Sequence, residues 1–120
     1  MDLEKVMRQK SFVIVGDTLN EQKFACKIKN AMLQHGYNVQ CVGKELNSLN
    51  DVSGSVDIID LCINPVKGLQ LMKECKIPFS AVVVQPGAES DELLQYMKDN
   101  SIDYIQDCLL VGLREYIDKT

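Results

Sequence analysis

The run Ala81-Val82-Val83-Val84 offers no polar position to either side. Successive side chains of a strand point to opposite faces, so a run like this belongs to a strand covered on both. That requires a sheet lying between layers of helices. The segments around it supply the parts. Phe12-Val13-Ile14-Val15-Gly16 is a short β-rich run stopped by glycine. Phe24, Ile28, Ala31, Met32 and His35 then recur at helical spacing, opposite Lys23, Lys27, Asn30 and Gln34. The pattern predicts an amphipathic helix of about four turns that opens at Asn20 or Glu21 and is closed by Gly36.

The alternation continues. Tyr37–Val42 and Val56–Ile63 read as strands, and Pro65 starts a helix to about Cys75 that Ile77-Pro78 breaks. A helix over Ser90–Asn100, capped by Ser90 or Asp91, a short strand Asp103-Tyr104-Ile105 and a last helix from about Leu110 complete the chain. The expected fold class is α/β: a single doubly wound domain of about five parallel strands with helices on both faces. Its 120 residues suffice for one core. Residues 1–10 read as an N-terminal extension or short helix, and residues 11–120 as the domain.

Several function classes are disfavoured by composition. No apolar run approaches a membrane span, and the mixed charges of residues 1–10 do not resemble a signal peptide, so a cytosolic protein is expected. The formal charge of −4 is uneven. Residues 1–87 carry ten Lys/Arg against nine Asp/Glu, whereas residues 88–120 carry three against eight. With no basic run beyond Lys27-Ile28-Lys29, nucleic-acid binding is not expected. The five cysteines, Cys26, Cys41, Cys62, Cys75 and Cys108, show neither a CxxC pair nor a zinc spacing. They read as reduced structural thiols, and no metal is expected.

In a doubly wound sheet, ligands bind beyond the carboxyl ends of the strands, where strand order reverses. The turns at that edge are Gly16-Asp17-Thr18, Val42-Gly43-Lys44, Asn64-Pro65, Gln85-Pro86-Gly87 and Asp107-Cys108-Leu109. The first is the phosphate position, because a helix N-terminus presents unpaired N–H groups and partial positive charge. Gly16 permits the sharp exit from the strand, Thr18 offers a hydroxyl, and Lys23 is the nearby cation; Asp17 and Glu21 add carboxylates. A competing reading is that Asp17 and Thr18 simply cap the helix. The string lacks GxGxxG, and no P-loop occurs, which disfavours NAD(P) held by the usual turn. At Gln85-Pro86-Gly87, Glu89, Asp91 and Glu92 already complement the following helix dipole, so backbone shaping is the expected role.

No catalytic constellation is convincing. His35, the single histidine, falls at the end of its helix away from Cys108, too far for a Cys–His dyad. Asp57 and Asp60, three apart on or beside a strand, would point to opposite faces. Cys41, Cys62 and Cys108 all fall near strand ends, which leaves a thiol redox role open beside simple packing.

The segments Val15-Gly16-Asp17-Thr18, Lys23-Phe24, His35-Gly36-Tyr37-Asn38-Val39, Val56-Asp57, Gln85-Pro86-Gly87-Ala88 and Asp107-Cys108-Leu109 occur in the order found in the CoA-binding domain family. Over about residues 11–112 the chain resembles these small stand-alone bacterial proteins, similar to the N-terminal domain of the succinyl-CoA synthetase α subunit. The resemblance implies a Rossmann-like sheet. It further implies Gly16, Thr18 and Lys23 facing a pyrophosphate, Val42 and Lys44 at the adenosine end, and Asn64-Pro65 on the adenine side. Asp17, Phe24, Gly43, Gln85, Pro86, Gly87 and Cys108 belong to the same implied cofactor-binding set. Three features depart from the family pattern: Asp17 replaces a small residue, the family's Val-Asn-Pro after the second strand reads Val42-Gly43-Lys44, and the segment from there to Val56-Asp57 is shortened. The expected function is non-catalytic binding of CoA, a CoA thioester or a related adenine nucleotide, by a monomer or homodimer. The alternative is a degenerate member that acts as a protein-interaction module with little nucleotide affinity.

Overall fold

A computed structural model describes residues 1–118; the last two residues of the expected domain, 119 and 120, lie outside the described residues. The elements are α1 (Leu3–Met7), β1 (Ser11–Gly16), α2 (Phe24–Gln34), β2 (Asn38–Gly43), β3 (Ile58–Leu61), α3 (Pro65–Glu74), β4 (Ala81–Val84), α4 (Asp91–Asp99), β5 (Tyr104–Gln106) and α5 (Leu109–Gly112). A 3-10 turn, Leu49–Asp51, precedes β3, and α5 widens into π-type winding over Leu113–Ile117.

All five strands are parallel, in the order β2-β1-β3-β4-β5. Chain order reverses between β1 and β3, which makes their carboxyl ends the switch point. Strands β3 and β4 are buried at every position, as the valine run requires. One face of the sheet, with Val13, Val15, Ile59, Leu61, Val82 and Val84, packs against Leu71 and Met72 of α3 and Leu93 and Met97 of α4. The other, with Phe12, Ile14, Ile58 and Val83, packs against Ala25, Ile28 and Met32 of α2, Val6 and Met7 of α1 and Leu109 of α5. Each such large side chain contributes about 1.5–3 kcal/mol by leaving water.

Three expectations change. The helix after β1 opens at Phe24, not at Asn20 or Glu21, because local hydrogen bonds hold residues 17–23 in turns. The Leu19 and Asn20 N–H groups donate to Asp17 Oδ1, the Gln22 N–H donates to Asn20 Oδ1, and the Lys23 N–H donates to the Asn20 carbonyl. Phe24, placed by periodicity on the buried face, is 64% exposed, since it sits at the helix mouth. The strand expected over Val56–Ile63 is confined to its middle four residues.

At the switch point the backbones nearly touch. A Cβ on Gly16 would collide with the Cys62 carbonyl oxygen and lie 2.8 Å from Ala25 Cβ; one on Gly43 would lie 2.7 Å from the Gly16 carbonyl oxygen. Gly16→Ala is therefore expected to destabilise by about 1–3 kcal/mol or more, while alanine at Gly68, a helical position whose Cβ would come no nearer than 3.4 Å to Ile63 Cγ2, costs less. Urea unfolding of the two variants checks the difference.

Candidate functional site

Beyond the carboxyl ends of β1, β3 and β4 lies an open cleft of about 420 Å³, lined by Asp17, Lys23, Phe24, Ala25, Cys62, Ile63, Asn64, Pro86, Gly87 and Ala88. That volume lies within the range of small-molecule sites. The turn after β1 and the start of α2 form one wall, the turn after β3 the floor, and the turn after β4 the opposite wall.

The start of α2 faces this cleft without a cap. Lys23 occupies the N-cap position in extended geometry and makes no capping bond. The contrast with the neighbouring helices is direct: Asn64 Oδ1 accepts the Lys67 N–H of α3 at 2.9 Å, and Ser90 Oγ accepts the Leu93 N–H of α4 at 3.1 Å. Neither Asp17 nor Thr18 caps α2. Asp17 closes its own turn, and the Thr18 hydroxyl, expected toward a pyrophosphate, is turned away from the cleft. It is 2% exposed and donates to Glu45 Oε2 at 2.5 Å. Lys29 Nζ donates to the same oxygen at 2.9 Å.

These donors make Glu45 an anchor. The Thr18 hydroxyl and then the Lys29 ammonium hold its carboxyl below the usual value of 4.5, and the Glu45 bond raises Lys29 in turn. The group thus stabilises the fold above its ordinary value, and that contribution is lost as pH falls through the lowered one. The tie joins the loops after β1 and β2, which accounts for Thr18 being buried. Lys27 stands beside the cleft-lining Phe24: its Nζ lies 5.5 Å from the centroid of that ring, a cation–π distance.

Of the residues expected at the site, Asp17, Lys23, Phe24, Asn64, Pro86 and Gly87 are brought together in the cleft. Gly16 backs it through its contact with Cys62. Thr18, Val42, Gly43, Lys44, Pro65, Gln85 and Cys108 do not line it. Val42 is buried in the core, and Gln85 is 3% exposed with its Nε2 donating to Asp60. Cys108 precedes α5, where its N–H donates to Asp107 Oδ1. The sequence reading missed Ala25, Cys62, Ile63 and Ala88 as lining residues, and Lys27 beside them; Lys27 was legible, four residues from Lys23 on one helix face.

The three thiols do not share one rim, although Cys108 lies near enough to Cys62 to act on it. Cys62 lies in the cleft, but Cys41 is buried beside Thr18, Glu45 and Lys29. Burial pushes Cys41 up to about 11 and Cys62 up to about 12, which leaves both as thiols at neutral pH and disfavours thiolate chemistry. His35 caps the far end of α2, with Nδ1 2.8 Å from the Ala31 carbonyl oxygen and Nε2 2.7 Å from Asp118 Oδ1. Among the described residues no three His, Cys, Asp or Glu side chains cluster as a metal site, and no helix is long and apolar enough to cross a membrane.

Thr18→Val is expected to cost about 1–3 kcal/mol by leaving Glu45 short of a donor, and Lys29→Met less, because that ion pair is partly exposed. Urea unfolding followed from neutral pH down into the acid range checks both. The acid limb should move toward higher pH in Thr18→Val.

The family model described as "CoA binding domain" matches residues 10–114. Among solved structures, a conserved hypothetical protein from Pyrococcus furiosus is similar at 25% identity and TM-score 0.74, covering 86% of this chain and 98% of that one. A hypothetical protein from Pyrococcus horikoshii OT3 superposes at TM-score 0.82 with 16% identity, covering 98% and 93%. The cell-free protein ID.343 from Thermus thermophilus does so at 0.78 with 19% identity, covering 98% and 100%. No curated protein matches the chain.

Proposed function

We propose, from the premise that the chain belongs to the CoA binding domain family, that it binds CoA or a related adenine nucleotide in the cleft without performing chemistry on it. The observation that carries this reading is the uncapped N-terminus of α2 opening into the cleft beside Lys23. A diphosphate needs N–H donors and cations in one place, and a helix start with free first-turn amides supplies the donors. Lys23 and Lys27 supply positive charge, and Phe24 offers an apolar surface next to them. The residues present therefore fit the diphosphate portion of CoA. Asn64, Pro86 and Gly87 would bound the remainder of the ligand.

A binding role agrees with the chemistry of the lining. His35 sits at the opposite end of α2, and the thiol in the cleft is held in its neutral form. The partner in this reading is a cytosolic small molecule; nucleic acid, membrane and metal have no part in it. The alternative, a protein-interaction module, rests on Asp17 repelling phosphate and on the shortened loop after β2. The Asp17 carboxylate is engaged by the Leu19 and Asn20 amides at 3.3 and 3.2 Å, which lowers the force of the first objection.

Calorimetric titration with CoA, acetyl-CoA, ATP and NAD tests the proposal. Lys23→Ala is expected to weaken CoA or nucleotide binding about tenfold, the loss of roughly 1.4 kcal/mol, and Asp17→Ala to tighten it. Absence of heat from every ligand at millimolar concentration rejects the reading. Binding gained only in Asp17→Ala supports the interaction module instead.

A further inference from the structure

Beneath the cleft lies a carboxyl group that the reading above does not use. Asp60 stands on β3 between Ile14 of β1 and Val83 of β4, fully buried. Its Oδ1 accepts a bond from Gln85 Nε2 at 2.6 Å, whereas Oδ2 has no partner among the described residues. Gln85 is itself the hinge of the cleft wall. Its N–H donates to the Leu61 carbonyl oxygen at 3.0 Å, and its own carbonyl oxygen accepts the Ala88 N–H at 2.9 Å. Pro86, Gly87 and Ala88, which that second bond closes into a turn, form one side of the cleft. A continuous chain of hydrogen bonds thus runs from Asp60 through Gln85 to the wall.

The surroundings of Asp60 leave a charge nowhere to go. The core on its face of the sheet is apolar: Phe12 and Ile14 from β1, Val83 from β4, Ala25 and Ile28 from α2, and Leu109 from α5. The titratable neighbours are the Cys62 thiol, two residues on and just beyond the end of β3, and the Cys108 thiol, which acts on Cys62. Burial pushes the Asp60 carboxyl up to about 8, with the Gln85 bond drawing it partly back. At neutral pH the group is an uncharged acid.

We propose that Asp60 is a positioning residue for the cleft, holding the Gln85–Ala88 wall in its ligand-accepting form while it carries its proton and loosening it when the proton leaves. An ionised Oδ2 without a donor demands water, since unpaired charge in an apolar site is costly. Pro86 and Gly87 are exposed while Gln85 is buried, so water reaches the carboxylate most directly by displacing this turn. The inference rests on the cleft being the CoA site, and by linkage a ligand that requires the closed wall binds more weakly once Asp60 ionises.

The experiment compares wild type with Asp60→Asn, which keeps an oxygen to accept from Gln85 but cannot ionise. CoA affinity is measured calorimetrically on either side of pH 8, and exchange of the Ala88 amide proton is followed over the same range without ligand. Titration of CoA itself is common to both proteins. Wild type is expected to bind about tenfold more weakly above the transition and to lose Ala88 protection there, while Asp60→Asn shows neither change beyond that of CoA and of intrinsic exchange. Parallel pH profiles in the two proteins overturn the proposal. If CoA binds neither protein at any pH, the ligand reading fails, and the Ala88 exchange alone decides the role of Asp60. If Asp60→Asn does not fold, wild type suffices: the Ala88 amide resonance must titrate with the midpoint of the Asp60 carboxyl carbon, and a different midpoint refutes the coupling.

Discussion

The carboxyl edge of the sheet is organised by how closely three strand ends approach one another at Gly16. With the Cys62 carbonyl oxygen against its α-carbon on one side and Gly43 against its carbonyl oxygen on the other, Gly16 has no room for a side chain. This convergence brings the turn after β1 over the boundary between β1 and β3. There the strand order reverses, and the following helix begins within reach of the turn after β3. A larger residue would splay β1 from β3, shifting the start of α2 relative to Cys62 and Asn64 and dispersing the cleft.

Much of the architecture is legible in the sequence because burial on two faces leaves an unambiguous mark. Ala81–Val84 has no polar position, and the strand it predicts is β4, residue for residue. Pro65 marks the first residue of α3, and Ser90 the cap of α4. Glycine and proline fix such boundaries through covalent geometry, which tertiary contacts do not override. The start of α2 was less legible for the opposite reason. Residues Asn20–Lys23 carry good helix signals, but Asp17 and Asn20 draw the nearby N–H groups into turns. A side chain that competes with its own backbone for hydrogen bonds decides such a segment locally.

The cleft was legible as a set of turns, and only in part as a set of side chains. Thr18 has a partner 27 positions away, Glu45, and no local pattern announces a pairing between two loops. Asp60 is harder still. Its neighbours Ile58, Ile59 and Leu61 read as an ordinary buried strand, and an aspartate among them looks like a polar edge until its one donor, Gln85, is placed across the β3–β4 pair. Gln85 was expected at the ligand surface; the same bond draws it inward and leaves Pro86 and Gly87 to form the wall.

A chain of net charge −4 with two carboxylates near the cleft is an unpromising acceptor of phosphate by count alone. The hydrogen bonds change that balance. Asp17 accepts from the Leu19 and Asn20 amides, and Glu89 Oε2 accepts from the Gly87 amide at 2.7 Å. Amide dipoles aimed at a carboxylate offset part of its field, whereas Lys23 and Lys27 enter no ion pair among the described residues. The first-turn amides of α2 add their partial charge, with no acidic residue in that turn to offset it. In the proposed reading the cleft accepts an anion through how its acids are tethered, and not through an excess of bases. Residue counts alone do not register that tethering.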